Sequence, residues 1–121
     1  MSRKYLVLIA GICVVAACHK APQTKVVDCS KVGHSWSHNI VPMLTHYCTD
    51  SSYGGCHQTG SEFGDWTDYQ QFKQKVDEGH VEEHCLESNE MPPPYSTGPF
   101  PLADSDKQML RCWIDNGAQK D

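Results

Sequence analysis

The chain has 121 residues, 39% of them hydrophobic, with 10 basic against 15 acidic side chains and seven cysteines. That length holds one small domain, which buries only about 60% of its unfolded surface and commonly draws extra stability from disulfides, a metal or a cofactor. The acidic balance excludes nucleic acid and an anionic membrane surface as electrostatic partners and favours a partner protein with a basic face.

The N-terminus reads MSRKYLVLIAGICVVAAC: Arg3 and Lys4, an apolar run from Leu6 to Ala17, then Cys18. Twelve apolar residues are too few to cross a hydrocarbon core of about 30 Å, so residues 1–17 predict a secretory signal. The residues VAAC at 15–18 resemble a bacterial lipobox, which implies a lipid on Cys18; ordinary cleavage near Ala16 or Ala17 is the alternative. Several acyl chains anchor a protein stably where one does not. The expected location is the cell envelope, on the periplasmic side, held to the membrane through an N-terminal lipid. Residues 18–28 read as a polar tether and 29–121 as the domain. Losing residues 1–17 removes Arg3 and Lys4 and no acid, which leaves 8 basic against 15 acidic residues and a net charge of −7. An exported chain meets an oxidising compartment, where disulfides persist.

The first periodic segment is SWSHNIVPMLTHYC, with Trp36, Ile40, Met43, Leu44 and Tyr47 close to helical spacing. Pro42 is tolerated only in a first turn, so regular helix is expected from Ile40 or Val41. His34, His38 and His46 fall on its polar side. In TDYQQFKQKVDEG, Thr67 or Asp68 caps a second helix, Tyr69, Phe72 and Val76 make its stripe, and Gly79 ends it. From His80 to Asp106 five prolines between 92 and 101 forbid a long regular element, and the segment reads as a wrapping loop. The last element, DSDKQMLRCWIDNGAQ, opens at Asp104 or Ser105 and closes at Asn116-Gly117, with Met109, Leu110, Trp113 and Ile114 on its buried face. No alternating strand pattern occurs, so the expected fold is all-α.

Residues 48–60, CTDSSYGGCHQTG, contain a Cys-His pair of the kind that closes a haem-attachment motif. A c-type haem needs thiols to add to its vinyl groups, a histidine directly after the second thiol, and a sixth iron ligand from the other side. Cys48 and Cys56 are the candidate thiols, His57 the proximal ligand, and Met91 in NEMPPP the distal one. The prolines after Met91 stiffen the backbone that presents its thioether. The first thiol normally stands three positions before the second; here it stands eight before. Closure entropy makes the longer loop only about 0.9 kcal/mol costlier. Gly54 and Gly55 can adopt positive φ and turn the chain back.

The pieces IVPMLTHYC, GCHQTG, EMPPP and LADSDKQMLRCWIDNGA, in this order, resemble small bacterial mono-haem cytochromes c, especially their lipoprotein forms. The resemblance covers residues 39–118. It implies a cytochrome c-like fold of three or more short helices around one covalently bound haem c, His/Met iron ligation through His57 and Met91, and one-electron transfer in the cell envelope rather than enzymatic turnover. After Cys18, five cysteines remain: 29, 48, 56, 85 and 112. Two thioethers leave three of them; a single thioether at Cys56 leaves four and permits two disulfides. Both counts stay open. Cys85–Cys112 is the preferred disulfide because it would pin the Met91 loop to the last helix, with Cys29 competing for Cys112.

Two other readings compete. HVEEH, residues 80–84, matches the His-x-x-Glu-His spacing of one class of zinc peptidases, but the chain leaves little room for a cleft. His80 or His84 is also an alternative sixth ligand. A disulfide-stapled, zinc-binding envelope lipoprotein serving as an interaction module is therefore the alternative function, and a haem protein with an open sixth position, peroxidase-like, is a third. Trp66 and Trp113 read as packing residues.

Overall fold

The computed structural model describes residues 27–121. The predicted signal at 1–17, Cys18 and most of the 18–28 tether lie outside the described residues. The described residues form four helices, two short 3-10 turns at Cys29–Lys31 and Ser51–Tyr53, and no strand: α1 at residues 36–49, α2 at Tyr69–Asp77, α3 at Glu82–Glu87 and α4 at Asp104–Asp115. The all-α expectation holds at this level.

Helix α1 starts earlier than Pro42 suggested. Ser35 caps it by accepting from the His38 N–H, and the first turn is wide, with the Ile40 N–H bonded to the Ser35 carbonyl and the Val41 N–H to that of Trp36. Proline has no N–H, so this register cannot run through Pro42, and regular helix takes over at Val41–Leu44. Wide turns resume at Thr45–Thr49 and carry Cys48 at the helix end. Helix α2 begins where expected, with the Asp68 carboxylate accepting from the Gln71 N–H.

Helix α4 ends in two converging bonds, Gly117 N–H to the Ile114 carbonyl and Ala118 N–H to that of Trp113, both 2.8 Å. Gly117 supplies the left-handed turn this ending needs, at φ 87°. Helix α3 was not anticipated. The prolines that break regularity all lie after residue 91, and the chain is free to coil before them.

The core is aromatic. Trp36 of α1, Phe72 of α2 and Trp113 of α4 pack with ring centroids 5.4–5.9 Å apart, and each is nearly inaccessible. Ile40, Leu44, Val81 and Leu110 close around them. The Trp113 indole donates to the Gln119 carbonyl and the Tyr69 hydroxyl to that of Ala118, both at 2.9 Å, so the tail after α4 folds onto the same cluster. Beyond it, Asp121 accepts from the Ser35 and Ser37 side chains and the Ser37 N–H at 2.7–2.8 Å, tying the chain end to the start of α1. Those donors hold the Asp121 carboxyl well below the usual carboxylate range.

The expected Cys85–Cys112 disulfide is corrected. Cys112 bonds Cys29, whose Cα lies 5.4 Å away, and Cys85 is a free thiol buried in the core cluster. The short turn Cys29–Lys31, capped by Asp28, brings Cys29 to α4. Cys85 on α3 instead faces apolar neighbours, and burial pushes its thiol up to about 12. The bond closes 83 residues, so nearly the whole domain is enclosed by it.

Candidate functional site

Between the end of α1, the loop that follows it and the proline-rich segment lies a groove of about 230 Å³, lined chiefly by apolar surface. Its walls include Cys48, Cys56, His57 and Met91, the four residues singled out from the sequence as thiols and axial ligands. Neither His80 nor His84 lines it, so they are not placed to replace Met91 there.

Backbone hydrogen bonds explain how an eight-position spacing still joins the two cysteines. The Asp50 side chain accepts from the Ser52 N–H at 2.8 Å and starts a tight turn. The Tyr53 and Gly55 N–H groups then both return to the Asp50 carbonyl at 3.0 Å. Gly54 and Gly55 take φ of 106° and 54°, the left-handed values that bring the chain back. The His57 N–H finally donates to the Cys48 carbonyl at 3.1 Å, so the ends of the insertion meet. The added residues close on themselves through the Asp50 turn, which leaves Cys48 and Cys56-His57 on the wall of the same groove.

His57 is held on two sides. Its ring stacks on the buried Trp66, centroids 3.7 Å apart at 27°, and its Nδ1–H donates to the Phe63 carbonyl at 3.2 Å. A carbonyl only accepts, so Nδ1 carries the proton and Nε2 keeps a free lone pair. This is the arrangement in which a histidine serves as a metal ligand, with its second nitrogen bonded to a backbone oxygen. Desolvation lowers the His57 pKa from the ordinary 6.5, which favours the neutral, ligating ring.

The thiols differ. Cys56 is exposed at the rim, whereas Cys48 is half-buried and its pKa is raised, first by burial and then by the neighbouring Cys85 and Cys56. Met91 is 36% exposed, and its N–H donates to the His84 carbonyl at 2.9 Å, anchoring the loop to α3.

Sequence reasoning missed the remainder of the lining. Among the described residues, the large hydrophobic side chains that stand exposed are Phe63, Met91, Tyr95 and Phe100, and the first three all border this groove. Apolar exposure grouped in this way makes the groove a candidate binding surface. Ser96, also in the wall, has a buried hydroxyl oxygen with no hydrogen-bond partner. Such an atom costs stability unless a ligand or water satisfies it. No local pattern announces Phe63, Tyr95 or Ser96, because they line one groove only when the proline-rich segment folds over the loop.

The described residues thus define a small, disulfide-closed helical domain with an apolar groove that presents two thiols, an oriented imidazole and a thioether. No protein-family model, curated protein or solved structure matches the chain.

Proposed function

We propose that the protein is a one-electron carrier: a mono-haem c-type cytochrome of cytochrome c-like fold, exported and lipid-anchored through Cys18 on the periplasmic side of the cell envelope. One observation supports this above the others. Cys48, Cys56, His57 and Met91, spread over 43 positions, line a single apolar groove.

The residues present fit the group. Cys56 at the rim and Cys48 beside it offer the thiols for attachment. His57 offers Nε2 to iron, and Met91 offers its thioether. The partnerless Ser96 hydroxyl is a donor suited to a carboxylate such as a porphyrin propionate. A groove of about 230 Å³ is below the ~300–1,000 Å³ of an enclosed site for a drug-sized ligand, so a macrocycle seated there would keep a large part of its surface in solvent.

Bound there, an iron porphyrin supplies a ferric/ferrous couple. The chain's part is to fix the surroundings. Trp66 and the Phe63 carbonyl hold the His57 ring in one orientation and one tautomer, so that little has to move when charge changes. Tyr53 and the buried Pro92 add apolar surface to the inner wall. The acidic surface outside, with a net charge of −7 after export, suits a redox partner with a basic face.

The test is a pyridine haemochrome spectrum of protein made alongside a working cytochrome c assembly system. A reduced α-band of covalently held haem is expected, and its position reports one thioether or two. A colourless product from that system would contradict the proposal.

A further inference from the structure

In the helical segment that leads into the proline-rich loop, His80, Glu83 and His84 offer three ligand atoms that all lie within 4.8 Å of one another. They sit at i, i+3 and i+4, the spacing that places side chains on one helical face. We propose that they form a surface zinc site, with Glu90 as the carboxylate that orients His84. The proposal does not depend on haem.

Two imidazoles and a carboxylate are a zinc donor set, and three protein ligands leave one position open. A tetrahedral ion with bonds of 2.0–2.2 Å holds its ligand atoms ~3.3 Å apart. His80 and Glu83 are exposed and His84 is half-buried, so rotation of side chains closes the remaining gap without moving backbone. The two imidazole rings already lie nearly parallel, at 16°, with centroids 6.0 Å apart.

A second observation separates this group from a chance cluster. His84 Nδ1 is bonded to Glu90 Oε2 at 2.7 Å, which leaves Nε2 for an ion. A carboxylate on the far nitrogen is the usual companion of a metal-bound histidine, fixing its tautomer and raising its basicity. Glu78 stands 3.5 Å from His80 Nε2 but is already engaged by Lys75 and Gln74, so it adds negative potential and no ligand. Glu90 directly precedes Met91, and the Met91 N–H is bonded to the His84 carbonyl. An ion here therefore clamps α3 to the start of the proline-rich segment.

The experiment is calorimetric titration of zinc into the chelator-treated full chain, repeated with cobalt(II) as a spectroscopic probe. We expect one ion per chain, a cobalt spectrum free of thiolate charge-transfer bands, loss of binding in His80→Ala/His84→Ala, and a loss of about tenfold or more in Glu90→Gln. Absence of stoichiometric binding would overturn the proposal. So would binding that survives in the double variant, or cobalt-thiolate bands, either of which would assign the ion to other residues such as Cys48, Cys56 and Cys85. Haem attachment is scored separately by mass, so failure of one reading leaves the other standing.

Discussion

The two halves of this domain are filled in different ways. On one side Trp36, Phe72 and Trp113 meet ring to ring, Ser35 and Asp68 cap the starts of α1 and α2, and a disulfide and Asp121 close the perimeter. On the other side three large apolar side chains stand at a groove, and a hydroxyl is buried without a partner. The first half is complete as polypeptide. The second is left open as polypeptide, and it is the half that the proposed haem would complete. A domain this small has too little apolar surface to close two cores, so the division follows from size as well as from function.

Substitutions should separate the halves. Trp113→Ala, in the filled half, removes the largest fully buried side chain and should destabilise the domain by ~3–5 kcal/mol in denaturant unfolding, whether or not haem is attached. Cys29→Ser releases the disulfide that encloses the domain and should cost ~2–5 kcal/mol, whereas Cys85→Ser should leave that bond intact in a thiol count.

The groove half should respond differently. Ser96→Ala removes a buried unsatisfied hydroxyl and should leave the haem-free chain equally stable or stabilise it by up to ~1 kcal/mol. Met91→Ala should change stability by only ~0.5 kcal/mol or less, since the side chain is partly exposed, while abolishing the low-spin spectrum of the haem-loaded protein. A Met91→Ala spectrum identical to the parent would give the sixth position to another residue.

The smallest effect is pH-dependent. The His57 pKa is lowered in the folded chain, so the unfolded chain binds its proton more readily. Stability of the haem-free protein should therefore fall as pH drops below 6.5 and level off below the folded value, and this contribution should vanish in His57→Phe.

Much of this was legible in the sequence. The spacing of Trp36, Ile40, Met43 and Leu44, the Asp68 cap and the Asn116-Gly117 ending are local signals, and each corresponds to an observed feature. Cys48, Cys56, His57 and Met91 were picked out one by one as chemistry, and the fold gathers them at one groove. What escaped was set by contacts distant in sequence. Cys29 finds Cys112 across 83 positions, a pairing the sequence offers only as the competitor of Cys85–Cys112, because no count of cysteines specifies a pairing. The wide first turn of α1 depends on how that helix lies on the aromatic core, so Pro42 alone gave too late a start. Helix α3 carries no strong stripe, with buried Val81 just before it and buried Cys85 within it, and the prolines that follow mask it. Trp66 beneath His57 and the unpartnered Ser96 depend on the folding of two loops against each other.

The central claim, that the open half is completed by a covalently attached haem, is tested most directly by the mass of the denatured chain after maturation in a host that assembles c-type cytochromes. The account predicts polypeptide plus one haem, retained through acid and organic solvent and lost when both Cys48 and Cys56 are replaced. A mass equal to the polypeptide alone, with Cys48 and Cys56 still free or joined to each other, would contradict it.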